Sequence, residues 1–379
     1  MFTHATRSHT TTRRALLTGL LALASMPALL GNGRDWADDD RWHQDGRGAV
    51  FTLTNATAGN AVVAYRRAAN GSLTPAGTYR TGGAGTGASL ASQGAVAVSD
   101  DRRFVIAVNA GSNSISVFRI RQDRLQLIDT KPSGGVMPTS VAVRNGLVAV
   151  LNAGEPNNIS GFLLTPFGRL YRVPGLTAPL SMPAANAAQV GFSHDGDTIL
   201  VTERATNAIA TFAINGFRLD GPYLTPSAGP TPYGFAVGSR NTVLVSEAGA
   251  GGGASTYRVK QDRLTVASSA IMTGQRAACW AALTPDGRFG YVSNAGTGNI
   301  SGFAIARDGS ARLLDADGIT GVTGGNPTDM AMSDDGRYLY ARVANLSTIA
   351  VFRVGRDGSL TALPSLSGTP AGLYGLAGF

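Results

Sequence analysis

One unit recurs along most of this 379-residue sequence and constrains the fold more than any other feature. Each unit contains an apolar segment, a Ser/Thr-x-Asp turn, a second apolar segment, a polar turn and a segment with an aromatic residue near its end. These aromatic residues lie 44–53 positions apart and are Tyr65, Phe118, Phe162, Phe212, Tyr257, Phe303 and Phe352. Repeats of about 40–50 residues built from short strands are typical of propeller blades. The sequence therefore predicts an all-β fold, a seven-bladed β-propeller.

Each unit predicts four strands, which we call a to d. Strand a is small and apolar, as in residues 138–143, and is expected to line the central axis. Strand b is a continuous apolar run, as in residues 147–151, and is expected to be buried on both faces. Strand c alternates between apolar and polar side chains, as in residues 115–120, which is the pattern of a half-buried strand. Strand d is polar and suits an exposed sheet edge.

The first unit lacks a strand a of its own. It begins near Asp45, directly before an apolar run. At the other end of the chain, residues 370–377 resemble residues 232–237, which are a predicted strand a. We therefore expect the C-terminal strand to complete the first blade and to close the ring.

Composition agrees with a large all-β domain and excludes several classes of protein. Glycine accounts for 50 residues, 43% of residues are hydrophobic and 15% are charged, which disfavours a disordered chain or a coiled coil. The single cysteine, Cys279, excludes an internal disulfide and a Cys-rich zinc site. The formal net charge is +8, but the arginines are scattered, so no nucleic-acid partner is expected.

The N-terminal residues have the pattern of an export signal. Arg7, Arg13 and Arg14 precede an apolar stretch over residues 15–30 that is too interrupted for a membrane span. Residues 12–17 resemble a twin-arginine signal, and a plain secretory signal is the alternative. We expect residues 1–30 to be the signal, 31–48 a polar linker and 49–379 the propeller, in a protein that is periplasmic or secreted and not transmembrane.

Several stretches resemble the bacterial lactonase family of seven-bladed propellers, which includes propeller-type 6-phosphogluconolactonases and carboxymuconate-lactonizing enzymes. They are residues 201–207, residues 291–296 and the Asp-Gly-Arg turns, and the resemblance covers about residues 49–379. It implies hydrolysis of a lactone in the central funnel, where the family's enzymes are proposed to use His, Arg and Glu side chains. This chain departs from that pattern because His194 lies in a turn at the opposite end, and the other histidines precede the propeller. Ser-His-Asp chemistry and His-ligated zinc are thereby excluded.

One position at the end of strand b aligns across all units and is predicted to face the funnel. Its occupants are Asn55, Asn109, Asn152, Glu203, Glu247, Asn294 and Val343. Asparagine suits tight turns because it tolerates a left-handed backbone, so a structural role is one interpretation of these residues. Contact between a ligand and Asn109, Asn152 or Asn294 is the other.

Two glutamates in this series are the candidate catalytic carboxylates. Glu203 or Glu247 could act as a general base, while Arg204, Arg276 and Arg342 hold the developing oxyanion. An ion pair between each glutamate and one of these arginines is the alternative interpretation. No cofactor is required for this scheme.

A bound cation is a second route to the same chemistry. Glu203, Glu247 and Asn152 offer the oxygen ligands that Ca²⁺ prefers, and the cation would then polarise the lactone carbonyl.

Further funnel candidates come from the segments that lead into strand a: Tyr233, Trp280, Asn326, Asp329 and Tyr374. Tyr233 and Trp280 are candidates for contact with the ligand, and a core residue is the alternative interpretation of Trp280. We therefore predict a monomeric, exported lactonase-like propeller that acts on a small lactone. The alternative is a non-catalytic propeller that binds a sugar, a cell-wall component or a protein.

Overall fold

Seven antiparallel sheets form a ring in the computed structural model, which describes residues 47–122 and 124–379. Each sheet is one blade, with strand a innermost and strand d outermost. The predicted all-β, seven-bladed propeller is confirmed. The predicted export signal and nearly all of the predicted linker lie outside the described residues.

The part of the chain that the structure describes forms 29 strands. Blade 1 contains β29 (Tyr374–Gly378), β1 (Gly48–Leu53), β2 (Ala61–Arg67) and β3 (Leu73–Arg80). Blades 2 to 4 contain β4 (Val96–Val98), β5 (Phe104–Asn109), β6 (Ser114–Ile120) and β7 (Leu125–Pro132); β8 (Pro138–Arg144), β9 (Leu147–Asn152), β10 (Asn158–Leu164) and β11 (Leu170–Pro179); and β12 (Ala187–Phe192), β13 (Thr198–Glu203), β14 (Ala208–Asn215) and β15 (Arg218–Pro226).

Blades 5 to 7 contain β16 (Pro232–Val237), β17 (Thr242–Glu247), β18 (Gly253–Lys260) and β19 (Arg263–Met272); β20 (Ala278–Leu283), β21 (Phe289–Asn294), β22 (Asn299–Ile305), β23 (Ala311–Leu313) and β24 (Gly321–Val322); and β25 (Pro327–Met332), β26 (Tyr338–Val343), β27 (Thr348–Val354) and β28 (Leu360–Ser367). The outer strand of blade 6 is divided into β23 and β24, which both pair with β22. A short 3-10 helix, Ala344–Leu346, follows β26.

The degree of burial of the strands agrees with the sequence prediction, except in strand c. Strand b is fully buried in six blades, as in β5, and all but Leu147 is buried in β9, whereas strand d is largely exposed, as in β3. Strand c is not half-buried as its alternation indicated, because in β6 only Arg119 is partly exposed. The polar Ser116 is fully buried there and bonded to Asn109, so this alternation marks buried hydroxyl groups rather than a solvent face. The seven repeated aromatic residues are all buried in strand c and fill the space between blades.

The C-terminal strand closes the ring as predicted. β29 pairs with β1, with Phe51 opposite Ala377 and Leu53 opposite Tyr374. The chain end is tied further by a hydrogen bond from Arg67 Nε to the carbonyl oxygen of Phe379, at 3.1 Å. Residue 48 has to be glycine, because a Cβ atom there would lie 1.9 Å from that same oxygen.

The ring has two faces, which carry different loops. On the upper face strand b ends and the connections from one blade enter strand a of the next. On the lower face lie the a–b turns and the c–d turns. The Ser/Thr-x-Asp turns stabilise the lower face: Ser99 Oγ donates to Asp101 at 2.6 Å and accepts the N–H of Phe104 at 3.0 Å. Among residues 47–122 and 124–379, no helix is long and apolar enough to cross a bilayer.

Candidate functional site

The residues that end strand b lie beneath the connection that enters their own blade. All seven members of the aligned series are buried. A Cβ atom at Gly83 would lie 2.6 Å from the side chain of Asn109, and one at Gly229 would lie 2.6 Å from that of Glu247. In blades 2, 3, 5 and 7 the connection therefore passes directly over the residue that ends strand b and needs glycine there.

The three asparagines bind these connections to strand c. Each amide nitrogen donates to a serine hydroxyl, in the pairs Asn109–Ser116 at 2.8 Å, Asn152–Ser160 at 3.0 Å and Asn294–Ser301 at 2.8 Å. The serine hydroxyl then donates to a carbonyl of the connection, as from Ser116 to Thr81 at 2.8 Å. These contacts agree with the structural interpretation of the asparagines, and their contact with a ligand stays a prediction.

Glu203 is held in the same way by a different set of donors. Its carboxylate accepts the N–H of Ser181 at 3.1 Å, the hydroxyl of Ser181 and the hydroxyl of Thr206 at 3.0 Å. Strand c of this blade has Ala210 where other blades have serine, so the connection and the following turn supply the donors instead.

Glu247 is a buried carboxyl group with an incomplete set of partners. Its Oε1 accepts from Ser227 at 2.8 Å and from Ser255, whereas its Oε2 is buried without a hydrogen-bond partner. Burial raises the pKa of Glu247 to about 7, since the neighbouring hydroxyl groups only partly compensate for lost hydration.

Neither glutamate forms an ion pair with an arginine. Within the described residues neither Glu203 nor Glu247 has a basic nitrogen inside 4.0 Å, so the alternative interpretation, an ion pair with Arg204, Arg276 or Arg342, is wrong. They share no hydrogen-bond partner, and the part of the chain that is described contains no group of three or more His, Cys, Asp or Glu side chains placed to hold a metal ion. A cation held by Glu203, Glu247 and Asn152 stays a prediction.

The upper end of the central channel is crossed by residues 92–94. Ser92 Oγ donates to the carbonyl of Thr139 in blade 3 at 2.7 Å. Gln93 pairs with the backbone of Ala281 in blade 6 through both amide atoms, at 2.8 and 3.1 Å. Below this segment lies a channel cavity of about 290 Å³ with mostly apolar walls. Residues 92–94 therefore form the floor of a channel mouth on the upper face.

Arg204, Tyr233 and Trp280 form one side of this mouth. The half-buried Arg204 donates from Nε to the carbonyl of Asn186 at 2.9 Å, and its guanidinium lies 4.6 Å from the ring centre of Tyr233. The Tyr233 ring lies 5.6 Å from that of Trp280, whose Nε1 donates to the carbonyl of Ser92 at 3.4 Å. Burial raises the pKa of Tyr233 to about 12. Trp280 is itself buried, so it supports this wall from behind.

Arg342, Tyr374 and Asp329 form the opposite side. Arg342 is only 6% exposed, donates to the hydroxyl of Thr328 and lies 5.3 Å from the ring centre of Tyr374. Asp329 is buried and accepts the N–H groups of Met330 at 2.8 Å and Leu376 at 3.1 Å. Burial raises the pKa of Asp329 to about 8. The backbone N–H groups of Met330, Leu376 and Gly94 and the positive charge of Arg342 act in the opposite direction, but burial has the larger effect. Burial lowers the pKa of Arg342, although Tyr374 and Asp329 oppose this.

These two sides converge because both contact residues 92–94. Arg276 and Asn326, also expected in the funnel, are exposed and bond within the upper loops: Arg276 donates to the carbonyl of Gly296 at 3.3 Å, and the Asn326 N–H donates to Asn345 at 2.7 Å. His194 lies in a lower-face turn, as expected. Gln93 was not among the predicted site residues. A signal was present, since Gln93 occupies the position at which three other blades begin strand a with proline.

Comparisons with known proteins agree with this architecture. A family model described as lactonase, 7-bladed beta-propeller, matches residues 43–166 and 263–371, more than half of the chain. The fold is similar to that of a putative 6-phosphogluconolactonase from Bacteroides fragilis, with 19% identity and a TM-score of 0.72 over 89% of this chain and 99% of that one.

A periplasmic gluconolactonase from Pseudomonas aeruginosa is similar as well, with 18% identity and a TM-score of 0.68 over 86% of this chain and 98% of that one. At such identities the similarity concerns the fold alone. A search among curated proteins gives no match.

Proposed function

This chain belongs to the lactonase family of seven-bladed β-propellers, and we propose from that premise that it opens a lactone ring at the channel mouth on its upper face. We also propose that it is exported, because residues 1–30 have the pattern of a signal.

The observation that supports the proposal is the burial of Arg204 and Arg342 without a carboxylate partner. Both are wholly or partly buried against a tyrosine ring, and neither has a carboxylate within 4.0 Å in the described residues. Burying a positive charge without a counter-charge is costly, and an anionic oxygen beside either guanidinium group would offset that cost. The tetrahedral intermediate of lactone hydrolysis carries such an oxygen, and in this proposal the guanidinium groups stabilise it.

Hydrolysis also needs a group that takes a proton from water. Asp329 is the carboxyl group of the mouth, and it is our first candidate; Glu203 and Glu247 are the alternatives. The base accepts a proton from water, the water oxygen adds to the carbonyl carbon, and the carbonyl oxygen becomes negative beside the arginines. The ring C–O bond then breaks, and the leaving oxygen receives the proton from the base.

The test is a panel of lactones offered to the purified full-length protein, with calcium and with chelator. Arg342→Gln removes the buried charge and is expected to lower kcat/KM by about 10²–10³. Arg80→Gln is the matched control, because Arg80 is an exposed arginine at the end of β3 in blade 1. A rate that requires calcium would favour the cation site of Glu203, Glu247 and Asn152.

One observation favours a binding protein as the second candidate. Both oxygens of Asp329 already accept backbone N–H groups, so a ligand could be held at the mouth without a free base. If the wild-type protein opens no lactone of the panel, the hydrolase proposal fails. Titration of sugars and cell-wall fragments against wild type and Arg342→Gln then tests the binding function.

A further inference from the structure

The c–d turns on the lower face differ between blades at one position. Four of these turns have the same hydrogen bonds, as from Gly71 N–H to Ala68 and from Gly168 N–H to Thr165, both at 2.9 Å. In blades 4 and 5 the turns are two-residue loops, such as the one between Asn215 and Arg218. The aligned position has an acidic or amide side chain in five blades, namely Asn70, Asp123, Asp262, Asp308 and Asp357. Blades 3 and 4, which are neighbours, have Phe167 and Phe217 instead.

The usual residue at this position stabilises its own turn. Asp308 accepts the N–H of Ser310 at 2.9 Å and its hydroxyl at 2.7 Å, and Asp357 makes the equivalent bonds. In blade 3 this function has moved to Thr165, whose hydroxyl accepts the N–H of Arg169 at 3.0 Å. Phe167 is thus not needed by the turn and is 72% exposed.

The two phenylalanines belong to one aromatic surface along the outer edge of blade 3. A Cβ atom at Gly175 of β11 would lie 2.2 Å from the carbonyl oxygen of Phe217, so the tip of blade 4 rests on that strand. Tyr171 lies on β11 between the Phe167 turn and Gly175, and it is 61% exposed. Phe217 is 39% exposed. We call Phe167, Tyr171 and Phe217 the aromatic rim.

Positive charge surrounds the aromatic rim. Arg169, Arg172 and Arg218 are exposed beside it. Two acidic side chains lie near these arginines. Asp129 is buried and lies 3.7 Å from Arg169 and 3.6 Å from Lys131, and the exposed Asp220 accepts a hydrogen bond from Asn215 at the base of the blade 4 tip. The surface is therefore apolar at its tips and carries more basic than acidic side chains at its base.

We propose that the aromatic rim inserts into the surface of a membrane that contains anionic phospholipids. Aromatic side chains favour the interface between headgroups and acyl chains, and basic residues add attraction to anionic headgroups. Phe167 and Phe217 lie at hairpin tips and Tyr171 lies on the outer strand β11, an uneven surface that a fluid lipid layer accommodates without a complementary shape. This inference is independent of the reaction at the channel mouth, which lies on the opposite face.

Vesicle co-sedimentation tests the proposal with the full-length protein. We expect binding to phosphatidylcholine vesicles that contain about one third phosphatidylglycerol, and little binding to pure phosphatidylcholine. The double variant Phe167→Asp/Phe217→Asp introduces the residue type that other blades have at this position, so its turns should fold. It is expected to bind the anionic vesicles at least about tenfold more weakly. Raised salt should weaken wild-type binding.

The matched control is Val322→Asp/Leu346→Asp, which also replaces two exposed apolar residues by aspartate, on other blades. It should bind as wild type does, and all three proteins should have similar Tm values. Absence of wild-type binding, or equal binding to neutral vesicles, would overturn the proposal. Concentration-dependent self-association that only the phenylalanine variant loses would overturn it too, by assigning the rim to a second copy of the chain.

Discussion

Trp280 and Asp329 occupy the same third position of strand a in neighbouring blades, and both face one short segment that crosses the channel. Trp280 donates to the carbonyl of Ser92 at 3.4 Å, and the backbone N–H of Gly94 lies close enough to Asp329 to lower the pKa of that carboxyl group. Gln93 lies between these two contacts. The walls with Arg204 and Arg342 are therefore positioned by the same three residues, so a change in this segment should affect both.

The first prediction concerns Gln93. Gln93→Ala leaves the buried N–H and carbonyl groups of Ala281 without partners, which should lower the free energy of unfolding by about 2–4 kcal/mol. It should also lower kcat/KM on any lactone that the wild type opens. Gln189→Ala is the control, because Gln189 pairs equally with the backbone of Phe235 but lies in the channel wall, outside residues 92–94. It should lose similar stability and keep its activity; equal loss of activity in both variants would contradict the proposed site.

The second prediction concerns the buried carboxyl group of Glu247. Its pKa is raised to about 7 in the folded protein, so the folded state holds a proton that the unfolded state has already released between pH 4.5 and 7. Stability from this group is complete below pH 4.5 and is lost as the pH rises through 7. The free energy of unfolding of the wild type should fall by about 3 kcal/mol relative to Glu247→Gln over this range. Chemical denaturation at a series of pH values measures this, and parallel curves would disprove it.

The third prediction concerns ring closure. Removal of residues 374–379 deletes β29, exposes the edge of β1 and leaves Phe51 without the Phe379 ring, whose centre lies 6.2 Å away. We expect a large fall in Tm or aggregation. Phe379→Ala keeps the strand pairs and should lose only about 3–5 kcal/mol. A truncated chain with the Tm of the full chain would show that blade 1 is stable without its C-terminal strand.

The sequence predicted residues near the axis better than it predicted their orientation. The repeat located Tyr233, Trp280, Asp329 and Tyr374 at the upper end of strand a, where position along the strand suffices to place a side chain at the mouth. The same reasoning placed Glu203 at the upper end of strand b.

Position alone does not give the direction in which such a side chain points. A residue at the end of strand b can face the axis or the connection that passes over it, and twist and packing decide between them. Gln93 was not predicted as a site residue for another reason. Its hydrogen bonds to Ala281 join positions 188 residues apart, and no local sequence pattern indicates such a contact.

The fourth prediction asks which carboxyl group serves as the base. If it is Asp329, Asp329→Asn should lower kcat by about 10²–10⁴, because the amide cannot accept a proton from water. The wild-type rate should rise with pH through about 8, since the ionised form of Asp329 is the active one and burial raises its pKa to that value. Asp329→Asn also disturbs buried hydrogen bonds, so its Tm will fall, and the loss of the pH dependence in the residual activity is the decisive measurement.

Glu203→Gln provides the comparison for that experiment. The carboxylate of Glu203 accepts hydrogen bonds from Ser181 and Thr206 beneath a connection, so we expect this variant to lose stability and to keep kcat and its pH dependence. Should Glu203→Gln instead lose activity at an unchanged Tm, while Asp329→Asn keeps the wild-type pH profile, the base is Glu203. The connection over residue 203 would then have to open for water to reach its carboxylate, because that side chain is completely buried in the closed arrangement.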